Sequence, residues 1–386
     1  MPDLVLRGGT VVDGTGAPRR RADVAVSGGR VVEVGRIGGA GREVDVTGLV
    51  VAPGFVDLHT HYDAQIHWDP TMSPSGLHGV TTIIGGNCGF TVAPMREEHA
   101  EYLIKMLAKV EGMPLAALES GIAFEWGSFG EWLDHLEARG MALNAGFLVG
   151  HSTIRRLVMG EGTSNPATEA QVTAMAALLA ESLAAGGLGF SSSWSSTHLD
   201  GENNPVPSRF ADASELVALA RVAGSHEGTT LEFIPGLIPF GPKEAGVMID
   251  MSLAANRTIN WNLVRVNTPD TTIAESALAH SDDAAKRGAA IVGLINPEPN
   301  QSQFNLAVGK LFELLPGWRE TMVLPLPERM AAFRDPTVRE RLFDCTRSVT
   351  AEPMVQLCRW GELIISQTFS EENRPFEGRT VGEVAS

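Results

Sequence analysis

The chain changes character at VAPGFVDLHTH, residues 51–61. GFVDLH has the composition of a short buried strand, and His59 and His61, separated by one residue, lie at its end. Because side chains alternate along a strand, His59 and His61 share one face, with Asp57 one step deeper on it. Two imidazoles placed in this way at a strand end can bind one metal ion. The spacing therefore predicts a metal site at the carboxyl end of this strand.

The residues on either side of this stretch predict two kinds of architecture. Residues 1–51 combine β-branched side chains with glycine-rich turns, which favours hairpins of a partial β-sandwich. After residue 52, apolar strand segments alternate with helical ones: GFVDLH, VTTIIGGNCG, NAGFLVGH, GLGFSSS, TTLEFIP, TINWNLV and AAIVGLI. Strand–helix repetition predicts an α/β fold, and seven strands predict a TIM-type (β/α) barrel with seven of its eight strands present.

This pattern predicts three segments and locates several helix starts. We expect a partial β-sandwich over 1–51, a hydrolase barrel over 52–300, and a lid or insertion segment with a truncated end over 301–386. Thr168 with Gln171 forms a predicted capping box, and Thr272 with Glu275 is predicted to open a later helix.

Composition limits the possible partners and the compartment. Lysine and arginine total 30 against 46 acidic residues, giving a net charge of −16. Such a chain repels nucleic acid and anionic membranes. Three cysteines do not predict a disulfide framework, and the start MPDLVLRGGT does not resemble a signal peptide. We therefore expect a cytoplasmic protein that acts on a small molecule.

Several motifs resemble a known family. PGFVDLHTH, preceded by LVLRGGTVVDGTG, resembles the amidohydrolase superfamily. GGNCGFTVAP, VGHSTIRRLVMG, GFSSSWSSTHLDGENNPVPSR and LEFIPG resemble its N-acyl-D-amino-acid deacylase branch, over residues 3 to about 300. The resemblance implies a zinc-dependent hydrolase that splits a linear N-acyl-D-amino acid into a carboxylate and a D-amino acid, using water acidified by zinc.

The resemblance also implies a thiolate ligand. Cys88 ends the second barrel strand within Asn87-Cys88-Gly89, where the deacylases have a cysteine bound to metal. A free cysteine is more commonly a small core residue, so the residue type alone leaves both interpretations open. The metal ligands expected from the resemblance and from side-chain parity are His59, His61, Cys88 and Glu232.

Two strands depart from the deacylase pattern, in which histidines end the fifth and sixth strands. Parity places Glu232 inward on strand five, where a carboxylate can bind zinc or orient a ligand. On strand six, Asn260 and Asn262 face inward, and asparagine is a poor zinc ligand. Strand four, residues 187–193, has no lysine to bridge two metals, which disfavours an amidohydrolase acting on a cyclic amide.

Other candidates were assigned to substrate binding or to support of the ligands. His151 ends the third strand segment, and Arg209 lies in the long loop after strand four, where it could pair with a substrate carboxylate. Asp57, Asn260 and Asn262 complete this group. The catalytic aspartate that the resemblance places on an eighth strand is not found. A non-catalytic metal-binding fragment, completion by a missing C-terminal part, and self-association therefore remain alternatives.

Overall fold

The computed structural model describes residues 1–236, 239–266, 271–296, 303–307, 310–349 and 354–386. Contacts divide the chain into two compact units. The first consists of Met1–Thr60, Asp69–Ile84 and Met141–Gly146, and the second of His61–Trp68, Gly85–Gly140 and Phe147–Ser386.

The strands are β1 Leu4–Val11, β2 Arg20–Ser27, β3 Arg30–Gly35, β4 Arg42–Asp45, β5 Val50–Val51, β6 Phe55–Asp57, β7 Val80–Gly85, β8 Asn144–Phe147, β9 Val149–Gly150, β10 Gly189–Ser193, β11 Thr230–Ile234, β12 Ile259–Val264 and β13 Ile291–Ile295. The helices are α1 Tyr62–Gln65, α2 Ala100–Glu111, α3 Leu115–Gly121, α4 Phe129–Arg139, α5 His151–Met159, α6 Glu169–Ala184, α7 Ala213–Gly224, α8 Pro242–Ala255, α9 Thr272–Lys286, α10 Arg319–Met322, α11 Leu326–Arg334, α12 Pro336–Thr346, α13 Met354–Leu357 and α14 Val381–Ala385.

The first unit contains the predicted N-terminal hairpins. Its larger sheet has the order β3-β2-β1-β4, with β5 also paired to β1, and the β1–β2 and β2–β3 pairs are antiparallel. Arg7 and Asp23 form an ion pair of 2.9 Å within this sheet. The three-stranded sheet β6-β7-β8 begins the alternating part of the chain, and β6 pairs with β7 in parallel.

The second unit is built on a parallel sheet with the order β13-β12-β11-β10-β9. Each neighbouring pair is parallel, and a helix lies between successive strands in the chain, as the alternation predicted. The register aligns Ser191 with Glu232 and Glu232 with Asn260, so these side chains share one face of the sheet. β10 is buried throughout, which is typical of a parallel strand covered on both faces.

Helix starts follow the capping chemistry that was read from the sequence. Thr168 and Gln171 form the predicted reciprocal capping box of α6. α9 begins at Thr272, but the hydroxyl that bonds to Glu275 belongs to Thr271, which donates to Glu275 Oε1 at 2.6 Å. The capping position precedes the first helical residue, and this accounts for the shift of one position.

After β13 the described residues contain short helices and no further strand. A small apolar core holds them together: Phe312, Leu315, Trp318, Met322, Leu342, Met354 and Leu357. The prediction of an α/β fold is confirmed: eight described strands, β6 to β13, follow the N-terminal sheet, and β8 and β9 both fall in the predicted segment NAGFLVGH. Their closure into one barrel stays a prediction, as do the boundaries at 51 and 300. Residue 300 lies outside the described residues. No described helix has the length and apolar character needed to cross a membrane.

Candidate metal centre

Cys88 does not end the second barrel strand as the sequence predicted, because β7 stops at Gly85 and Cys88 lies in the tight turn that follows, Asn87–Gly89. The turn bends the backbone sharply, and Cys88 itself adopts a positive φ of 60°. Gly86 enters the turn with φ +73°, and a Cβ there would lie 2.0 Å from the carbonyl oxygen of Leu148. Only glycine fits this close approach, so the GGNCG sequence directs the Cys88 side chain where a strand alone would not.

Two strands of the parallel sheet hold this turn in place. The Cys88 N–H donates to Glu232 Oε2 at 2.9 Å, and the Gly89 N–H donates to Ser191 Oγ at 3.0 Å. The Ser191 hydroxyl in turn donates to the carbonyl oxygen of Gly86. These bonds join the turn to β10 and β11, so the position of the thiol is set by the sheet.

His61 brings an imidazole to this thiol. Its Nε2 lies 3.6 Å from Cys88 Sγ. Zinc–nitrogen and zinc–sulfur bonds of about 2.0 and 2.3 Å at a tetrahedral angle place the two ligand atoms about 3.5 Å apart. Burial lowers the pKa of His61 to about 4, so the ring is neutral near pH 7 and has a lone pair for a metal. The pair therefore fits a zinc ion.

Acidic groups surround the thiol. Burial raises the pKa of the Cys88 thiol well above its ordinary value, and the negative charges of Glu232, Glu111 and Asp63 raise it further. Burial likewise raises the pKa of Glu232 to about 8 and that of Asp63 to about 7. A bound cation would offset these effects, because it favours the thiolate and the carboxylates.

The inward residues of β11 and β12 meet as parity predicted. Asn262 donates through Nδ2 to Glu232 Oε1, while the other oxygen of Glu232 accepts from the Cys88 N–H. Asn260 is half-buried and is paired in register with Glu232. Glu232 is thus held at one oxygen by the Cys88 turn and at the other by β12.

Asp57 and His59 belong to the first unit. Asp57 is the last residue of β6, and its Oδ1 accepts a hydrogen bond of 3.3 Å from the His59 N–H. Both side chains are partly buried. The aspartate therefore fixes the backbone from which the first histidine projects.

His151 lies where a strand turns into a helix, and its ring faces away from the Cys88 turn. It is the first residue of α5, not the last of a strand, and it is fully buried. Its Nδ1 contacts Ser192 Oγ at 2.8 Å and its Nε2 contacts Glu215 Oε1 at 2.8 Å. Ser192 alternates with Ser191 on β10, so His151 contacts the face that looks toward α7.

Arg209 follows the long loop after β10, in a short 3₁₀ turn, Pro207–Phe210. Its Nη1 donates to the carbonyl oxygens of Ser196 and His198, at 3.4 and 3.2 Å. Burial lowers the pKa of Arg209. The guanidinium therefore braces the loop that the sequence had assigned to substrate binding.

Glu111, the last residue of α2, was not recognised from the sequence. Its Oε2 lies 3.6 Å from His61 Nε2. It is 23 residues from the Cys88 turn, and no motif marks it. The one local signal is its position directly before Gly112, which ends the helix in a left-handed conformation.

Parallel strands with a buried thiol–imidazole pair beside them are typical of metal-dependent α/β proteins. The chain belongs to the amidohydrolase family, whose family model matches residues 42–342. It is 37% identical over 228 residues to a D-aminoacylase of Alcaligenes xylosoxydans xylosoxydans, which is 58% of this chain and 43% of that protein. It is 38% identical over 191 residues to the N-acyl-D-aspartate deacylase of the same organism, which is 49% of this chain and 36% of that protein.

Solved structures agree with this family assignment. The crystal structure of a D-aminoacylase has a TM-score of 0.62 and 29% identity, over 78% of this chain and 59% of that one. The N-acyl-D-glutamate deacylase of Bordetella bronchiseptica, complexed with zinc and a phosphonate inhibitor, has a TM-score of 0.62 and 28% identity. That match covers 77% of this chain and 59% of that one. The chain thus spans less than two thirds of the length of each of these relatives.

Proposed function

We propose that this chain binds zinc through His59, His61 and Cys88, side chains that each offer one ligand atom. The observation that carries the proposal is the 3.6 Å separation of His61 Nε2 and Cys88 Sγ, which suits two ligands of one tetrahedral ion. Glu232 is proposed as a further ligand, or as the group that orients the Cys88 turn.

We further propose that the protein hydrolyses a linear amide, releasing a carboxylate and a D-amino acid. The names of the relatives, D-aminoacylase and N-acyl-D-aspartate deacylase, support this substrate class. When bound, zinc supplies a Lewis acid that acidifies water and polarises a carbonyl group. The chain's own contribution is positional: the neutral His61 ring, the strained Cys88 turn and the doubly held Glu232 are set before substrate arrives.

The remaining candidates receive supporting roles in this proposal. Asn262 orients Glu232, and Asn260 offers an amide beside it. Asp57 orients the backbone at His59. His151 supports β10 through Ser192, and Arg209 shapes the loop that would cover a substrate.

Two alternatives differ in class. A metal-binding but non-catalytic fragment would hold zinc without hydrolysing any amide. A cyclic-amide hydrolase is less well supported, because β10, Gly189–Ser193, offers no lysine to bridge two metals. We propose an N-acyl amino acid as the small-molecule partner. We further propose self-association, in a cytoplasmic protein that does not bind nucleic acid or membranes.

The test combines metal content with substrate hydrolysis. Elemental analysis of the purified chain should give about one zinc, and His61→Ala and Cys88→Ala should each lose it. Cys345→Ala, which changes a cysteine outside the site, is the matched control. Amine release from N-acetyl-D-amino acids and their L enantiomers, and ring opening of a hydantoin to its N-carbamoyl amino acid, then separate the functions. Zinc binding without hydrolysis of any substrate supports the non-catalytic fragment, and hydantoin turnover supports the cyclic-amide hydrolase. A folded chain without zinc refutes the metal site.

A further inference from the structure

The carboxylate of Glu111 stands beside the proposed zinc ligands. Glu111 Oε2 lies 3.6 Å from His61 Nε2, and its side chain is only 18% exposed. Zinc–nitrogen and zinc–oxygen bonds of about 2.0–2.2 Å at tetrahedral or wider angles place the two ligand atoms about 3.4–3.7 Å apart. The observed distance is therefore one that two ligands of the same ion would have.

This position is unfavourable for an acidic side chain without a cation. Glu111 is the last residue of α2, where the partial negative charge of the helix end repels a carboxylate. Its negative charge also acts on two neighbours in the same unit, Cys88 and Asp63. A metal ion beside His61 would bring positive charge to these acidic groups.

We infer that Glu111 supplies a carboxylate oxygen to the metal held by His61 and Cys88, an inference that rests on the metal site proposed above. The site would then combine nitrogen, sulfur and oxygen ligands, a set that zinc accepts. It would also add a ligand that Asn262 of β12 does not supply, since this side chain bonds to Glu232. A helix end would thus complete a site that the strands leave short of ligands.

The competing interpretation is a simple ion pair between Glu111 and a protonated His61. The two interpretations predict opposite behaviour of the metal-free protein. If Glu111 is a metal ligand, then Glu111→Gln relieves repulsion among acidic groups, and the metal-free variant unfolds at the same temperature as wild type or higher. If Glu111 serves only as an ion-pair partner, the same substitution lowers the unfolding temperature without metal.

The experiment measures zinc affinity of the 386-residue chain by competition with a chelator of known affinity. Glu111→Gln should weaken zinc binding at least about tenfold, the lower end of what loss of an orienting group costs. Glu111→His, which restores a ligand atom, should bind more tightly than Glu111→Gln. The matched control is Glu101→Gln on the same helix, an acid that is 80% exposed and bonded to Lys105, and it should leave affinity unchanged.

The outcomes separate this inference from the proposed function. If wild type binds zinc, His61→Ala and Cys88→Ala lose it, and Glu111→Gln stays within twofold of wild type, the inference alone is overturned. If wild type binds no zinc, both the inference about Glu111 and the proposed metal site are overturned. A tenfold loss together with an unchanged or raised unfolding temperature in chelator supports a ligand role. A lowered temperature in chelator assigns Glu111 to the ion pair and overturns the inference.

Discussion

Glu215 should be one of the most costly side chains to remove, although it lies away from the proposed metal. It accepts hydrogen bonds from Arg155 and contacts His151 Nε2 at 2.8 Å. The Arg155 side chain is 0% exposed and that of Glu215 is 3% exposed. In Glu215→Ala the guanidinium stays buried with only the carbonyl oxygens of Thr163 and Asn165 as acceptors. Breaking a buried pair from one side costs about 3–5 kcal/mol of unfolding free energy.

Urea unfolding in the presence of chelator measures this cost without the contribution of metal. Glu215→Gln keeps the shape and one acceptor oxygen, so its loss should be smaller than that of Glu215→Ala. The matched control is Asp283→Ala, which breaks the exposed pair with Lys286 and should cost less than about 1 kcal/mol. The reasoning is refuted if Glu215→Ala costs no more than this control.

The same network predicts how stability depends on pH. Burial lowers the pKa of His151 below its ordinary value of 6.5. As pH drops below about 6.5, the unfolded chain therefore takes up this proton before the folded chain does, and the free energy of unfolding falls. Burial alone would raise the pKa of Glu215, but its bonds to His151 and Arg155 bring it below 4.5. Its contribution is therefore present above about pH 4.5 and is lost as pH falls further. Glu215→Ala should lose this last part of the acid dependence.

Two further predictions test the turn that holds Cys88 and the C-terminal core. Gly86→Ala should weaken zinc binding and lower the unfolding free energy, because the added Cβ would lie 2.0 Å from a backbone oxygen. Gly246→Ala on α8, where the added Cβ meets open space, should change neither. Equal zinc affinities of the two variants would contradict this prediction. Trp318→Ala removes a ring that packs nearly parallel to both Phe312 and Trp360, and should cost about 3–5 kcal/mol locally. Hydrogen exchange should then rise in α10–α13 with zinc content unchanged, and lost zinc would refute the separation.

Sequence reasoning located the side chains whose orientation depends on local periodicity. Glu232 and Asn262 alternate with apolar residues on β11 and β12, and the alternation alone placed them on the inward face. There they bond to each other and, for Glu232, to the Cys88 turn. Cys88 could be located only in part, because glycines and a positive φ set its direction where strand parity no longer applies.

Two features lay beyond such reasoning. His151 was assigned to a strand end, but it begins a helix, so a period of two no longer predicts where its ring points. Its partners Ser192 and Glu215 come from a strand and a helix 41 and 64 residues away. Glu111 meets His61 across 50 residues of sequence with no pattern that links them. Contacts between distant elements depend on packing, which a single sequence does not specify.

The ionisable side chains around Cys88 destabilise the folded chain when no cation is bound. Glu232, Asp63 and Cys88 are buried groups that each become harder to ionise, and Glu111 adds charge at the wrong end of a helix. Features that lower the stability of the folded chain are expected at functional sites. Because a ligand that binds only the folded state stabilises it by about 2.7 kcal/mol at a hundredfold excess over its Kd, zinc could offset much of this cost. These properties support the proposal that the Cys88 turn is part of a cation site.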